Sequence, residues 1–349
     1  MAAPKNRKPL IITAIVTVAV LVVAGGFVGV LLSMRGDKNG DPNNEAADVA
    51  RAYLEALADG DAEAALKLSA TQPASTELLT DEILKKQREK MPITDIEVKG
   101  AAAAEPNSDK RTTMVQVAAK FGGQRVEAKL PMIVADGEWK MGASFVEGST
   151  DIMGSRISMP NLSGSDSDSD ASATEPADFL TVFGKPMPKS RHFYVFPGYL
   201  EVGMSVPGVA VNEVPPTTLD DVSPYTEYYL DAKYSLSEAG KKIAGDTILA
   251  WVKKCFSPGK LTGSCADIVK SWEPQYDTTS MQLNGPVDLS GLSYEMKFGS
   301  MEVRVSGGIK GIPITMNING KPDSVTVDLN RVPDVDLSKD PAVIVEPGN

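Results

Sequence analysis

The chain has 349 residues, a formal net charge of −11, two cysteines and one histidine. This acidic balance excludes the broad basic surface that nucleic-acid binding requires, so no nucleic-acid partner is expected. A zinc site takes about four ligands, so a chain with so few cysteines and histidines is predicted to bind no metal and no cofactor.

The N-terminal segment predicts a membrane anchor. Residues 1–9 form a basic tail, and residues 10–33 contain no charged residue. At about 1.5 Å per residue, a helix from Leu10 to Leu32 is roughly 34 Å long, enough for a hydrocarbon core of about 30 Å. A cleaved signal peptide is the alternative, but its apolar core is shorter, about 7–15 residues. The excess of positive charge before the span predicts a single-pass cell-membrane protein, with its N-terminus cytoplasmic and the bulk of the chain extracytoplasmic.

The two cysteines, Cys255 and Cys265, lie in the part of the chain that this topology exports. Exported domains meet oxidising conditions, so we expect the pair to form a disulfide that closes a short loop. Their spacing is longer than the C-x-x-C of redox pairs. Ser257 and Lys260 fit the S-x-x-K spacing of an acylating serine. The Pro-Gly between them disfavours the helix that this motif needs, so both are interpreted as loop residues.

Residues 34–44 form a polar linker, and residues 45–146 form a predicted first outer domain. Its opening has the strongest helical periodicity in the chain, with one apolar face. The residues on that face are Ala46, Val49, Ala50, Tyr53, Leu54 and Leu57. Gly60 is expected to end this helix and Asp61 to cap a second, short one. A third helix is predicted over residues 78–90.

The pattern then changes to the alternation that is typical of β-strands. The alternating residues are Thr94, Ile96 and Val98, then Val115, Val117, Ala119 and Phe121, and then Val126, Ala128, Leu130, Met132 and Val134. Gly122-Gly123 and Asp136-Gly137 predict tight turns between the strands. The first domain is therefore expected to be a helical half followed by an antiparallel meander, an α+β layout.

These helices, the strands and the closing VADGEWKM segment resemble the nuclear transport factor 2-like (cystatin-like) superfamily, as found in exported, membrane-anchored bacterial proteins. The resemblance implies a curved sheet wrapped around a long helix, which forms a cone with a pocket. The residues expected to line that pocket are Tyr53, Leu57, Phe121 and Trp139. Some members of the superfamily are isomerases or dehydratases that use Asp and His inside the cone, whereas others only bind or dimerise.

The first domain has no histidine, and its candidate acid–base groups are Asp95 and Glu97. The alternation of the strand places them opposite Thr94, Ile96 and Val98. If those three face the core, both carboxylates are solvated, so an enzymatic cone is the less favoured interpretation.

Residues 147–178 include a Ser/Asp-rich run that cannot bury a core, and they are predicted to be a disordered linker. A second α+β domain is predicted over residues 179–337, followed by a disordered tail over residues 338–349. Turns are expected at Gly307-Gly308 and, as a hairpin, at Asn319-Gly320.

One helix of the second domain is expected to begin at a Ser237 cap and to run through Cys255. Its buried stripe is predicted to contain Ala244, Ile248, Trp251, Val252 and Cys255. This helix, the short loop to the second cysteine and the later strands resemble a domain of exported actinobacterial proteins whose function is unsettled. The resemblance assigns no catalytic residue. His192 is interpreted as a surface or capping residue, and Trp251 and Trp272 as core or groove walls.

The predicted fold class is α+β, with an N-terminal transmembrane helix followed by two extracytoplasmic α+β domains with curved antiparallel sheets. No acid–base or nucleophile constellation is recognisable, so the chain is predicted to be a non-catalytic cell-envelope protein that acts as a binding, scaffold or regulatory module. The alternatives are a small-ligand or lipid carrier that uses a cone in residues 45–146 and, less favoured, an isomerase- or dehydratase-like enzyme. The expected partners are the membrane and either other envelope proteins or a small apolar ligand; the oligomeric state stays open.

Overall fold

The structure, a computed structural model, describes residues 42–101, 111–150 and 176–346, apart from residues 260, 262, 271, 273 and 298. The chain divides into two compact units. Unit 1 comprises Met1–Pro73, Leu79–Phe145 and Thr218–Thr226, and unit 2 comprises Ala74–Leu78, Val146–Thr217 and Glu227–Asn349. The sequence predicts two continuous domains, whereas each unit takes in a short segment from elsewhere in the chain.

The described structure does not support the predicted membrane anchor. Among the described residues, no helix is both long enough and apolar enough to cross a bilayer. The two longest helices, Pro42–Asp59 and Glu238–Cys255, are amphipathic and have charged residues on their exposed sides. The segment for which the anchor is predicted, residues 10–33, lies outside the described residues. The prediction of a transmembrane helix is therefore withdrawn, together with the cell-membrane localisation derived from it.

The described part of unit 1 begins with three helices: α1 (Pro42–Asp59), α2 (Ala62–Lys67) and α3 (Asp81–Lys90). Five of the six residues of the predicted stripe of α1 are buried and Val49 is half-buried, which confirms its helical periodicity. Asp61 caps α2 as predicted, because its carboxylate accepts the backbone N–H of Ala64 at 2.8 Å. Thr80 caps α3 in the same way, so this helix begins three residues later than the sequence pattern predicts.

Four antiparallel strands complete unit 1, in the order β1 (Ile93–Ala101), β2 (Thr112–Phe121), β3 (Gln124–Ala135) and β4 (Glu138–Met141). The turns after β2 and β3 each place two consecutive residues at positive φ, with values of 57° and 85° at Gly122 and Gly123. This geometry matches the right-handed twist of hairpin strands. Both predicted turns are confirmed.

The first part of unit 2 contains eight short strands. They are β5 (Val146–Ser149), β6 (Leu180–Val182), β7 (Lys185–Pro186), β8 (His192–Val195), β9 (Val202–Met204), β10 (Val209–Val211), β11 (Tyr228–Tyr229) and β12 (Tyr234–Leu236). They form three small sheets, ordered β11-β5-β8, β7-β6-β9 and β10-β12. The β11–β5 pair is parallel, so the prediction of antiparallel sheets is wrong for this pair.

Two helices follow, α4 (Glu238–Cys255) and α5 (Ser264–Val269). Ser237 caps α4 as predicted, since its hydroxyl accepts the N–H of Gly240 at 3.1 Å. The apolar stripe that ends at Cys255 is buried. Cys255 and Cys265 lie at disulfide distance, with their Cα atoms 5.1 Å apart, so the predicted pairing is present.

The remaining strands form two sheets, β13-β16-β17 and β14-β15-β18-β19. They are β13 (Tyr276–Leu283), β14 (Leu292–Met296), β15 (Glu302–Gly307), β16 (Ile309–Ile318), β17 (Lys321–Leu329), β18 (Val335–Asp336) and β19 (Val343–Ile344). Asn319-Gly320 forms the predicted hairpin between β16 and β17. Gly307-Gly308 instead leads the chain from one sheet into the other. A Cβ at Gly307 would lie 2.2 Å from the Gly291 carbonyl oxygen, so this crossover requires glycine.

Two predicted disordered segments contain regular structure. The linker over residues 147–178 begins inside β5 and ends in a 3₁₀ helix, Pro176–Phe179; residues 151–175 lie outside the described residues. The tail over residues 338–349 contains β19, which pairs with β18. Strand pairing orders the start of the first segment, in β5, and residues 342–345 of the second, which contain β19. The fold class is thus corrected to a β-rich α+β arrangement with one parallel strand pair.

Candidate functional site

Unit 2 contains an open groove with a volume of about 830 Å³. Sites for small organic ligands typically measure about 300–1,000 Å³. The groove is lined by α4, α5, the end of β17 with the loop after it, and the last described residues. Its apolar lining residues are Trp251, Ile268, Trp272, Val327, Leu329 and Val332.

The floor of the groove is set by the cysteine pair. Trp251 lies one turn before Cys255 on α4 and is only 6% exposed. Its indole N–H donates to the hydroxyl of Ser264, the neighbour of Cys265, at 3.0 Å. The disulfide and this hydrogen bond therefore hold the same two helix ends together and fix the orientation of the indole.

The opposite wall comes from the C-terminal strands. The Glu346 carboxylate accepts the backbone N–H of Ser264 at 2.9 Å. Its oxygens lie so close to Gly263 that a Cβ there would be only 3.0 Å away. Gly263 has a φ of 58°, a value that L side chains rarely adopt. The C-terminal segment is thus anchored to the loop between the two cysteines.

Three of the six ionisable groups of the groove, Lys297, Asp328 and Asp334, are engaged in ion pairs. Lys297 Nζ lies 2.7 Å from both Asp334 and Glu302. The hydrogen bond with Asp334, followed by that with Glu302, raises the pKa of Lys297 above its ordinary value, so this amine stays protonated at neutral pH. Asp328 accepts the N–H of Gly311, and that hydrogen bond is the main reason why its pKa is lowered.

Apart from Glu346, whose carboxylate accepts the Ser264 N–H, two charges of the groove make no ion pair within the described part of the chain. These are Asp267 on α5 and Arg331 on the loop after β17, both of which are exposed. Trp272 is half-buried and packs edge-to-face on Tyr276, with 6.0 Å between the ring centroids. The groove therefore combines an aromatic surface with a charged rim that is still available to a ligand.

The four residues predicted to line a pocket in unit 1 have a different environment. Tyr53 and Leu57 have no exposed surface, Phe121 is 4% exposed, and Trp139 is half-buried. The Tyr53 hydroxyl donates to the Ser144 carbonyl oxygen at 2.9 Å. These side chains pack inside unit 1, which counts against an open cone at this position.

Asp95 and Glu97 lie on the exposed face of the β1–β3 sheet. Asp95 lies 2.7 Å from Lys120, and Glu97 lies 2.8 Å from Arg125. A bulge between Thr94 and Glu97 resets the alternation of β1, so Thr94 is exposed as well. The condition that Thr94 faces the core is not met, yet Asp95 and Glu97 are both exposed to solvent.

The loop serine of the S-x-x-K match has a local role. The Ser257 hydroxyl donates to the Lys254 carbonyl oxygen at 2.7 Å, at the end of α4. This hydrogen bond satisfies a carbonyl that the helix end leaves open. Lys260 lies outside the described residues.

His192, the only histidine, is the first residue of β8, and it is near Glu147 and Glu227. The sequence pattern singles out His192, Trp251 and Trp272 but gives no sign of the carboxylates or of the C-terminal wall of the groove. Each of those groups comes from a segment far away in the sequence.

Comparison with known proteins finds no protein-family model that matches this chain and no match among curated proteins. The resemblance of residues 45–146 to the nuclear transport factor 2-like superfamily stays a prediction. The geometry of the chain itself is therefore the basis for proposing a function.

Proposed function

We propose that this chain is a non-catalytic binding protein and that the groove of unit 2 binds a small amphipathic organic molecule. The observation that supports the proposal most strongly is the 830 Å³ groove, which is walled by Trp251 and Trp272. Aromatic walls supply a large apolar contact area, and a few polar groups orient the ligand. The apolar part of the ligand would lie against the two indoles, and its polar part would face Asp267 and Arg331.

The state of the polar groups favours binding over catalysis. A general base must have a lone pair and a pKa near the working pH. Lys297 has neither, because two carboxylates keep it protonated. Asp328 is committed to Lys310 and to the Gly311 N–H. These groups are suited to holding the shape of the groove.

The first experiment is a native mass spectrum of the full chain, recorded before and after denaturation. A small molecule that co-purifies and is released on denaturation would support the proposal and give the class of the ligand. The second is a titration with N-phenyl-1-naphthylamine, a neutral probe that becomes fluorescent in apolar sites. We expect saturable binding with a stoichiometry of one.

Trp272→Ala should weaken probe binding by about tenfold or more, since truncation of an aromatic anchor typically costs more than 1 kcal/mol. Trp139→Phe, which changes the tryptophan of unit 1, is the matched control and should leave the titration unchanged. Equal loss in both variants, or no saturable binding to the unmodified chain, would refute the groove as the binding site.

A further inference from the structure

A second group of polar side chains in unit 2 lies outside the groove. The atoms with ligand character in Glu147, His192 and Glu227 all lie within 4.8 Å of one another. The three side chains are partly buried. They are supplied by three segments that are 45 and 35 residues apart in sequence.

The register of one small sheet brings these residues together. In the sheet β11-β5-β8, Glu147 on the central strand pairs with Tyr194, and Ser149 pairs with His192. Because residues two apart on a strand share a face, Glu147 and His192 are diagonal neighbours on one face. The parallel pairing of Tyr228 with Gly148 places Glu227, one residue earlier, beside Glu147.

Gly148 holds this register. On the face opposite Glu147, the ring of Phe193 lies across the Gly148 backbone, and a Cβ at this position would be 2.3 Å from the ring. Phe193 is itself buried. Only glycine allows the ring to close over the strand, so the pairing that aligns Glu147 with His192 depends on it.

The distances between the donor atoms resemble those of a coordination sphere. His192 Nδ1 lies 3.0 Å from Glu227 Oε1 and 3.4 Å from Glu147 Oε1. Around a tetrahedral zinc ion, donors about 2.0–2.2 Å from the metal are roughly 3.3–3.6 Å from one another. Both distances from His192 Nδ1 are within a few tenths of an ångström of that range, and the two carboxylate oxygens lie within 4.8 Å of each other.

Two of these donor atoms are shielded from solvent without a hydrogen-bond partner in the described part of the chain. They are His192 Nδ1 and Glu227 Oε1. Their separation of 3.0 Å suits a hydrogen bond, but they are not aligned for one. Buried polar atoms are normally hydrogen-bonded, and a cation bound between these two atoms would satisfy both of them.

The surroundings supply the support that metal ligands usually have. The Tyr194 hydroxyl donates to Glu147 Oε1 at 3.1 Å. Hydrogen bonds to ligating carboxylates orient them for a metal. His192 and Tyr194 also border a cavity of about 20 Å³, which is large enough for one water molecule.

From this geometry we propose that Glu147, His192 and Glu227 bind one divalent transition-metal cation, with zinc as the best match. Two carboxylates and a neutral imidazole have a charge of −2, which a divalent cation neutralises. Imidazole favours zinc over calcium or magnesium. Three protein ligands leave a fourth position open to water, as in zinc sites that are not closed by four side chains.

The single histidine makes the test direct. The full chain, prepared without a histidine tag and with ¹⁵N-labelled histidine, is titrated with zinc chloride at neutral pH. A long-range ¹H–¹⁵N spectrum then reports the two imidazole nitrogens of His192 alone. We expect one equivalent of zinc to shift Nδ1, the atom that faces the carboxylates, and to bind with micromolar affinity or tighter.

Glu147→Gln and Glu227→Gln keep the shape of each side chain and should each weaken zinc binding by about tenfold or more. Glu213→Gln, at an exposed glutamate of the same unit, is the matched control and should bind as the unmodified chain does. Circular dichroism spectra of all variants check that they are folded.

Three results would overturn the proposal. The Nδ1 signal could fail to respond to millimolar zinc, which needs no variant to interpret. The response could fall on Nε2 and persist in both glutamine variants, which would indicate adventitious binding. The imidazole could respond only to pH, which would mean that the cluster is an ion pair of His192 with its two carboxylates.

Discussion

Units 1 and 2 differ in how their strands are ordered along the sequence. Unit 1 has one sheet whose four strands follow one another in sequence and close over α1. Unit 2 distributes fifteen short strands among five sheets within the described residues, and its neighbouring strands are often far apart in sequence. Sequential packing fills unit 1, whereas assembly from distant segments leaves a groove and a cluster of polar side chains in unit 2.

Individual buried polar atoms differ in their surroundings. In unit 1 the Tyr53 hydroxyl is buried, and burial raises its pKa far above the ordinary value. This hydroxyl donates to the Ser144 carbonyl oxygen. In unit 2, His192 Nδ1 and Glu227 Oε1 are shielded without a hydrogen bond in the described chain, and in unit 1 the same is true of Ser144 Oγ. What distinguishes the two atoms of unit 2 is that they lie 3.0 Å from each other.

Shortening a core side chain should destabilise only the unit that contains it. This is the largest effect that we expect. Leu57→Ala in unit 1 and Ile248→Ala in unit 2 each remove a fully buried side chain. Each should lower the free energy of unfolding by about 2–5 kcal/mol. Hydrogen exchange read by mass spectrometry should show the loss of protection in the mutated unit.

Arg51→Ala, on the exposed side of α1, is the control and should change protection little. If Leu57→Ala exposed unit 2 as strongly as unit 1, the two units would unfold together and the comparison between them would fail.

Removal of the cysteine pair should sharpen the comparison, because it acts on unit 2 alone. The double variant Cys255→Ala and Cys265→Ala should destabilise unit 2 by roughly 2.5–3 kcal/mol, the loop-entropy value for a ring of this size. Probe binding in the groove should weaken at the same time, since the pair holds the floor at Trp251.

Chemical reduction of the unmodified chain should reproduce both effects. Full probe binding in the double variant would show that packing alone positions the groove floor.

Tyr53→Phe should act on unit 1 alone. The change removes one hydroxyl and leaves the Ser144 carbonyl without its donor. The expected cost is about 1–3 kcal/mol, because an unsatisfied buried acceptor is left behind. Chemical denaturation of unit 1 measures the cost, and the probe titration should not change.

Tyr225→Phe is the matched control, since this tyrosine of unit 1 is 85% exposed. A loss of groove binding in Tyr53→Phe would contradict the assignment of separate roles to the two units.

The smallest effect concerns the charged face of the unit 1 sheet. The hydrogen bond from Lys99, followed by that from Arg125, lowers the pKa of Glu127 below its ordinary value of 4.5. A carboxyl whose pKa is lower in the folded than in the unfolded state stabilises the folded state at pH values above the unfolded-state pKa. This contribution is lost as the pH falls through the folded-state pKa. Glu127→Gln should therefore be slightly less stable than the unmodified chain at pH 7, and the difference should vanish in acid.

High salt should also reduce this difference, because exposed charges are screened. Glu138 on β4 makes no ion pair in the described part of the chain, so Glu138→Gln serves as the control. A difference that persists in acid would mean that the effect comes from packing and not from charge.

Much of the fold follows from local patterns. The stripe of α1, the caps at Asp61 and Ser237, and the turns at Gly122-Gly123 and Asn319-Gly320 are all present as predicted. Each depends on residues within a few positions of one another, where steric preference and side-chain periodicity decide the outcome. The predictions that fail involve a partner from a distant segment.

Three elements show this most clearly. The segment around Val343 becomes a strand because β18 offers it a partner. Gly307-Gly308 divides two strands as predicted, but which sheet each of those strands joins is decided by their distant partners. The bulge at Asp95 shifts the alternation of β1 because the strand adjusts to its pairing with β2. No local pattern reports the position of these partners.

The candidate sites divide in the same way. The sequence by itself determined the helices, the hairpins and the two cysteines that pair, because these depend on short-range geometry and on residue type. It also singled out His192, Trp251 and Trp272. Only the tertiary structure decided that Glu147 and Glu227 lie beside His192 and that the C-terminal segment closes the groove, since strand register and long-range packing place residues that have no fixed spacing along the chain.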